Sequence, residues 1–576
     1  MAQKIVLNYH RLWDRSDLGS CVTISTEARI QELIEEIQVL HDRRGLKLQW
    51  RLPCLYQIDR SADDMPKPGD QLDESYHPLR ERHRVSRYWP DVSKIDPERV
   101  QLLLNAEIVS PNRSQHPRDT LSDLPSTFRN MQLEHNKTAN WFSNCKPPSE
   151  TARPSNYRKQ QNQGTAPIFN GRPADRTGLP IQLFHPVFDH FFQALEASDE
   201  PTASEYNNVQ QLVFAAQEVY TNENERWKPL IPFFNTSLNR QIMRDTPVGN
   251  WTSLCCTIIE VKNEVGTGNC DPGIQAAEDY GICWSIGEVS SIRESCCCPS
   301  LLIAIAGPQM CIFGAIYLNR IVVQQLTDYI WLGHHPQHEP HLRRLTRLFC
   351  AARDTITELS NYYTSISSGP PRLQDPMRFF PHLRQYSDDD GQITDFTYTG
   401  FIDESTSRPV FTAVTGSGKE IIVKFAEQYN LDAHRTLAEK ELAPALLSHQ
   451  PPTHSRGLHC IIMERVQAIS LHEWRTGSST NRRLEGAQKD VQRALETLHS
   501  NNWVFGDLRS PNVLVIEGEN SIRGMLVDFD WCGEHGVARY PATMNDDARI
   551  GWPDGAERRG LMMKQHDLDM LEKLFK

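Results

Sequence analysis

The chain has no run of 18 apolar residues and no apolar stretch near its start. The first absence argues against a bilayer-spanning helix, and the second against a secretory leader. No Cys-x-x-Cys pair occurs among its 14 cysteines, which fall singly or in the runs Cys255-Cys256 and Cys296-Cys297-Cys298. Neighbouring cysteines on an extended chain alternate in direction and cannot all reach one tetrahedral metal, so no zinc site is predicted. Reduced thiols in a cytoplasmic or nuclear protein are the simpler expectation, with unconventional export as the other route open to a leaderless chain. Net positive charge is missing too. Against 61 Lys and Arg stand 73 Asp and Glu, leaving −12. That excludes a generic nucleic-acid coat but leaves room for a local basic groove.

What is present suffices for several domains, because single cores seldom grow past about 250 residues and the chain has 576. In residues 1–62, "KIVLNYHRL", "SCVTIST" and "LQWRLPCLYQI" read as strands. "ARIQELIEEIQVL" places Ile30, Leu33, Ile34, Ile37 and Leu40 on one helical face. Residues 63–179 are rich in Pro, Ser, Asn and Arg and read as a polar linker region with short helices. Over 180–365 helical periods return in "LPIQLFHPVFDHFFQAL" and "NNVQQLVFAAQEVYTNENERW". Strands are predicted at 255–262, 300–306 and 310–317, and "LRRLTRLFCAARDTITELSNYY" is a closing helix. Residues 366–393 form a second linker, and a third ordered region covers 394–576. The expected class is α+β, multidomain.

Glu260 and Lys262 end an apolar strand two residues apart, which puts both on one side of it. Metal-dependent phosphodiester cleavage needs oxygen ligands for Mg²⁺ and gains from a lysine that orients water or stabilises the phosphate. Asp245 precedes them as an upstream acid, Glu218 or Glu225 is a further one, and Gln275 and Tyr280 follow on a helix. A solvated strand-end pair is the plainer alternative. The strand, "IIEVKNEVGTG" and the helix after it resemble the restriction-endonuclease-like fold with its D…ExK core, over residues 180–333. The resemblance implies that Asp245 and Glu260 bind Mg²⁺ or Mn²⁺ and act with Lys262 on nucleic acid. The run "GHHPQHEPH" is broken by prolines and reads as a solvated connector.

In the last region "KEIIVKFAEQY" is a β-branched strand carrying Lys424, and "CIIMERV" is a strand turning toward a helix. An amphipathic helix leads into "WVFGDLRSPNVLV", with Asp507 and Asn512, and "GMLVDFDWCG" supplies Asp528. Lysine, hinge, helix, Asp, Asn and Asp in this order resemble the eukaryotic protein-kinase-like fold, bilobal, across 394–576. The resemblance implies ATP and Mg²⁺ as cofactors. Asp507 is then the base, Arg509 the cation at the transferring phosphoryl group, Asn512 and Asp528 the metal ligands, and Lys424 the phosphate-binding lysine. Met463, Glu464 and Val466 hold adenine.

Departures from that pattern are plain. Phe505-Gly506 replaces His-Arg, Asp530 replaces the glycine of D-F-G, and no G-x-G-x-x-G precedes Lys424. His434 falls where the helix glutamate belongs, with Glu439 and Glu441 as alternatives. Asp567 in "HDLDML" is the residue expected to brace the loop of Asp507, and the late helices of the lower lobe are not expected. "VDFDW…G…RYP" is similar to fungal kinase-like domains. With a ubiquitin-like N-terminal domain over 1–62 and a restriction-endonuclease-like centre, the whole resembles crinkler-type effectors of fungi and oomycetes. The implied function is a Ser/Thr protein kinase. A metal-dependent nuclease with a regulatory kinase-like domain, and a non-catalytic scaffold, are the alternatives.

Overall fold

A computed structural model describes the backbone of five strands and Leu33 within 1–108. Beyond them it describes residues 126–163, 166–238, 255–368, 375–388, 390–402, 408–452, 457–476, 484–518 and 521–576. The chain divides into two compact units, Met1–Asp119 and Thr120–Lys576.

The first unit is a sheet of β1 (Lys4–Arg11), β2 (Ser20–Ser25), β3 (Trp50–Arg60), β4 (His77–Pro78) and β5 (Val100–Ile108), in the order β2-β1-β5-β3-β4. Strand β5 runs parallel to β1 and antiparallel to β3. The middle strand therefore comes from beyond residue 62, where the ubiquitin-like domain was expected to end. Its sequence "VQLLLNAEI" is a short apolar run hidden in a polar surrounding. The helix expected at 28–40 lies outside the described residues except for Leu33, which is fully buried.

The second unit begins inside the expected linker region. Helix α1 (Ser126–Asn144) buries Phe128, Met131, Gln132, His135, Thr138, Ala139 and Phe142, a regular helical stripe. Three polar members of that stripe concealed it in the sequence. Helix α2 (Pro154–Gln163) is followed by strand β6 (Ile168–Phe169). The Gln161 amide donates to the carbonyls of Ile168 and Arg172 and accepts from the Ile168 N–H, so linker-like polarity here satisfies backbone.

Then come α3 (Val187–Glu196), α4 (Ala203–Gln217) and α5 (Glu223–Ser237). Each long helical period is interrupted: a short 3₁₀ turn precedes Pro186, and Asn222 caps a new helix by accepting from the Glu225 N–H. Strands β7 (Thr257–Lys262), β8 (Ser300–Ala306), β9 (Gln309–Tyr317) and β10 (Ile321–Gln325) join β6 in the order β6-β10-β9-β8-β7. Helix α6 (Pro272–Ser285), capped by Asp271, packs on β7 and β8, and the long α7 (His338–Ser368) packs on α3 and α4. Covered on both sides, β8 is buried along its whole length. Cys255 and Cys283 are joined in a disulfide between the start of β7 and the end of α6, which corrects the expectation of reduced thiols at those two positions.

The C-terminal part opens with β12-β13-β14-β15-β17-β16, if the two-residue strand Ile330–Trp331 is counted as β11. Its members are β12 (Gln385–Ser387), β13 (Ile393–Phe401), β14 (Val410–Thr415), β15 (Glu420–Ala426), β16 (Leu446–Gln450) and β17 (His459–Glu464), all antiparallel. Helix α8 (Leu431–Ala438) links β15 to β16. Below lie β18 (Ile469–Ser470), α9 (Glu485–Ser500), β19 (Trp503–Val504), β20 (Val513–Glu517), β21 (Ile522–Leu526), β22 (Gly533–Glu534) and α10 (Lys564–Phe575).

Strand β15 has one wholly apolar face and one that mixes apolar residues with Lys424, and this organises the unit. Ile421, Val423 and Phe425 join one continuous core with Phe128, Phe380, Tyr398 and Phe411. Phe380 stacks on Tyr398 at 5.4 Å and meets Phe128 edge-on at 5.4 Å. Burying each such ring stabilises the contact by about 1.5–3 kcal/mol. Arg378, also buried, donates to Glu294 and Gln132 (both 2.6 Å). The expected linker 366–393 thus supplies part of a shared core, and the upper sheet is bonded to the central one.

Candidate functional site

On its other face β15 presents Ile422, Lys424 and Ala426, which pack with Ile461, Met463 and Tyr429. Lys424 is buried, and its Nζ donates to Asp528 Oδ1 at 2.7 Å and Asp530 Oδ1 at 2.5 Å. Burial alone would depress the ammonium, but the two carboxylates outweigh it and hold its pKa above the ordinary lysine value. Burial raises both acids. Lys424 more than reverses this for Asp528, which ends below the usual range, while Asp530 ends above it beside a second carboxylate. Asp528 adopts φ +75°, a left-handed conformation that Asp tolerates better than most residues.

The turn carrying these acids is tied to the upper sheet. Asn430 caps α8 by accepting from the Ala433 N–H, and it donates to both ends of the turn. Its N–H reaches the Phe529 carbonyl at 3.2 Å, and its side chain reaches the Cys532 carbonyl at 3.3 Å.

Asp507 lies on the loop between β19 and β20. Arg509 Nε donates to its Oδ1 and Arg509 Nη2 to its Oδ2 (2.6 Å), while Asn512 Nδ2 reaches Oδ2 at 2.8 Å. Burial would lower the guanidinium, and the Asp507 carboxylate holds it above its ordinary value. Its guanidinium carbon lies 5.9 Å from the Trp531 ring centroid and 5.6 Å from that of Trp552. The Asn512 backbone carbonyl closes the loop onto the acid-bearing strand by accepting from the Val527 N–H at 3.0 Å.

Phe505-Gly506 has a structural reason. Phe505 is fully buried and meets Phe529 edge-on at 5.6 Å. Gly506 has φ +80°, which favours glycine, and a Cβ there would also have to displace the Met562 methyl, 2.2 Å away. Asp567 accepts from the Phe505 and Gly506 N–H groups at 2.8 and 2.9 Å and bonds His499. This is the brace that "HDLDML" suggests.

None of the three residues weighed as helix partner of Lys424 bonds it. His434 is buried, with Nδ1 at 2.9 Å from Tyr429 OH and Nε2 at 2.9 Å from the Pro444 carbonyl. Nε2 must therefore donate and Nδ1 accept, and burial holds this neutral imidazole down at about 4. Glu439 is exposed, and Glu441 pairs with Arg523 at 3.0 Å. On the hinge strand Met463 is buried, Glu464 donates its N–H to the Ala445 carbonyl at 2.9 Å, and Val466 is half-buried just beyond.

In the central sheet Lys262 is buried and sits 2.8 Å from Glu260 Oε1 and 3.8 Å from Glu223 Oε2. Period two brings the first pair together, as the spacing predicts. Glu223, the first residue of α5, replaces Glu218 and Glu225 as the acid facing the lysine; Glu225 instead binds Thr221. Its place directly after the Asn222 cap was the signal that could have singled it out. Asp279 on α6 lies close enough to Glu260 to feel its charge; burial first, then that charge, pushes it up to about 8. Gln275 accepts from Cys270 Sγ, and the Tyr280 hydroxyl is spent on the Cys298 carbonyl at 2.8 Å, so Tyr280 offers no phosphate contact. Asp245 lies outside the described residues. Among the described residues no group of three His, Cys, Asp or Glu could hold a metal ion, the histidine-rich run included. None of the described helices is long and apolar enough to cross a membrane.

No family model matches the chain, and no curated protein matches it. Among solved structures it is similar to the Cydia pomonella granulovirus kinase PK-1, at 17% identity and a TM-score of 0.25, over 31% of this chain. The chain spans 65% of that kinase's length. It is also similar to vaccinia related kinase 3, at 15% identity and a TM-score of 0.27, over 37% of this chain and 71% of that one. Likeness to protein kinases thus covers part of a mixed α+β chain.

Proposed function

We propose that the C-terminal part is an ATP- and Mg²⁺-dependent phosphotransferase whose acceptor is a hydroxyl, Ser or Thr of a protein. The observation that carries this reading is the pairing of Lys424 with Asp528 beside a braced Asp507–Asn512 loop, the two segments joined by the bond from the Val527 N–H to the Asn512 carbonyl. The donor set fits the cofactor. Asn512 has its amide nitrogen committed to Asp507, which leaves its side-chain oxygen to offer, and Asp528 has Oδ2 beyond the Oδ1 that Lys424 holds, with exposed Arg408 4.0 Å from it. Both are the hard oxygens that Mg²⁺ takes. Magnesium-bound ATP would supply the electrophilic phosphorus and screen its charge.

The chain's own residues do the rest. Lys424 grips phosphate oxygens from β15. Ile422, Ala426 and Met463 line the apolar side on which adenine rests, and Val466 follows the hinge residue whose N–H is already bonded. Asp507 takes the acceptor proton at Oδ1, since Oδ2 already accepts two hydrogen bonds and Oδ1 one. Arg509 stands beside it, positioned to balance charge on the transferred group. Labelled-ATP transfer by the full chain tests the reading. Asp507→Asn should lower transfer by about 10²–10⁴, and equal labelling in the variant would refute it.

A second reading belongs to the central sheet, where Glu260, Glu223 and Lys262 converge. These acids fit a metal-dependent nuclease only with Asp245 as a further ligand, so no step is assigned to them. Plasmid cleavage in Mn²⁺, lost in Lys262→Ala, is the result that would support it.

A further inference from the structure

In the kinase arrangement Lys424 needs a carboxylate from the helix that follows its strand. The one acid of that helix, α8, is Asp432 in its exposed first turn, and the carboxylates that Lys424 bonds are Asp528 and Asp530 instead. His434, in the expected place, has both nitrogens bonded elsewhere, and its ring stacks on Phe529 at 4.9 Å and 11°. A neutral imidazole locked in this way cannot orient an ammonium. Lys424 nevertheless has a second carboxylate besides Asp528. It is Asp530, at 2.5 Å, from the position where a glycine would give the turn freedom.

Three observations fix Asp530 there. Asn430 bonds the carbonyls of Phe529 and Cys532, one residue before and two after it. Phe529 between Asp528 and Asp530 is fully buried, edge-on to Phe505 and flat on His434. The Tyr429 ring lies 5.5 Å from Lys424 Nζ and restricts that side of the ammonium. Lysine and carboxylate are thus held from both ends, one by β15 and one by a turn pinned to the start of α8.

We propose that Asp530 replaces the missing helix carboxylate and is the residue that positions Lys424 for the phosphates of the nucleotide. This rests on the phosphotransferase reading above and assigns within it a role to the residue that departs most from the D-F-G pattern. The helix carboxylate of a kinase arrives and leaves with its helix, whereas Asp530 lies two residues from Asp528 on the same turn. Lysine and metal acid are therefore assembled together, with no helix movement needed to complete the pair.

The test uses the full chain with magnesium-ADP for binding and magnesium-ATP for transfer. Asp530→Asn should weaken nucleotide binding and raise the ATP KM by roughly tenfold to a hundredfold. The magnesium concentration for half-maximal transfer and the acceptor KM should stay unchanged, and Asp530→Glu should recover part of the loss. Should Asp530→Asn fail to fold, Asp530→Gly, which restores the usual glycine, carries the same expectation. Wild-type transfer with undiminished nucleotide affinity in these variants would overturn the proposal and leave the phosphotransferase reading standing. A raised magnesium requirement at unchanged ATP affinity would also overturn it, making Asp530 a metal ligand. Absence of nucleotide binding by the wild type would overturn both.

Discussion

Lys424 and Lys262 are near twins in unlike settings. Each is buried on a strand, β15 or β7, and each meets two carboxylates, Asp528 and Asp530 in one case, Glu260 and Glu223 in the other. The difference is where the acids come from. Glu260 shares the strand of Lys262 and Glu223 begins a helix capped on its own, so that cluster is local and statically packed. The acids of Lys424 come more than a hundred residues later, from a separate turn, and beside them stands a second loop braced by Asp567. A buried lysine with two acids is by itself only an ion pair. Acids that come from a separate turn, beside a loop carrying Asp507 and Asn512, are what set the Lys424 cluster apart from a local pair.

The same cut in both places separates the two cases most strongly. Removing Lys424 leaves two largely buried carboxylates unpaired and should destabilise the fold by about 3–5 kcal/mol. Removing Lys262 should cost less, because solvent reaches Glu223. Lys424→Met should in addition lower ATP-dependent transfer by roughly 10² or more, because phosphate binding goes with it. Lys262→Ala should leave transfer unchanged. Denaturant melts and the labelled-ATP assay on both variants measure this, and a loss of transfer in Lys262→Ala would erase the distinction.

A smaller effect sharpens the local cluster. Glu278, two residues before Tyr280 on α6, is fully buried with neither carboxylate oxygen bonded; Thr151 and Gln160 lie near enough to temper its shift but do not satisfy it. Burial pushes its pKa up from 4.5 to about 7. The folded chain then holds a proton that the unfolded chain releases, so stability falls as pH rises from 4.5 to 7 and stays reduced above. Glu278→Gln should remove that slope, raising stability at pH 8 by something of the order of 3 kcal/mol with little change at pH 4.5. Thermal melts at the two pH values decide it. The smallest effect concerns the distant cluster. Asn430→Ala removes a helix cap and a turn anchor and should cost about 1 kcal/mol, seen in melts together with a raised ATP KM. A KM left at the wild-type value would mean the turn holds Asp530 without Asn430.

Much of this was legible because chemistry leaves spacing behind. Glu260 and Lys262 share a face by strand period, and Asp507 and Asn512 are bonded on one loop whose Asn512 carbonyl meets the residue before Asp528. Less visible was anything that depends on a polar residue doing apolar work. Gln132, His135 and Thr138 sit in the buried stripe of α1, and Gln161 bonds backbone in β6, so a core-forming stretch read as linker. The partner of Lys424 was unreadable for another reason. Spacing pointed to His434 on α8, and only its bonds to Tyr429 and Pro444 show that this residue is committed elsewhere.

The shared aromatic core of Phe128, Phe380, Tyr398 and Phe411 has a mechanical consequence. The strand carrying Lys424 shares one continuous core with the central sheet. The turn bearing Asp528 and Asp530 is tied to that same frame through Asn430 and Lys424, so the lysine and its acids rest on one foundation.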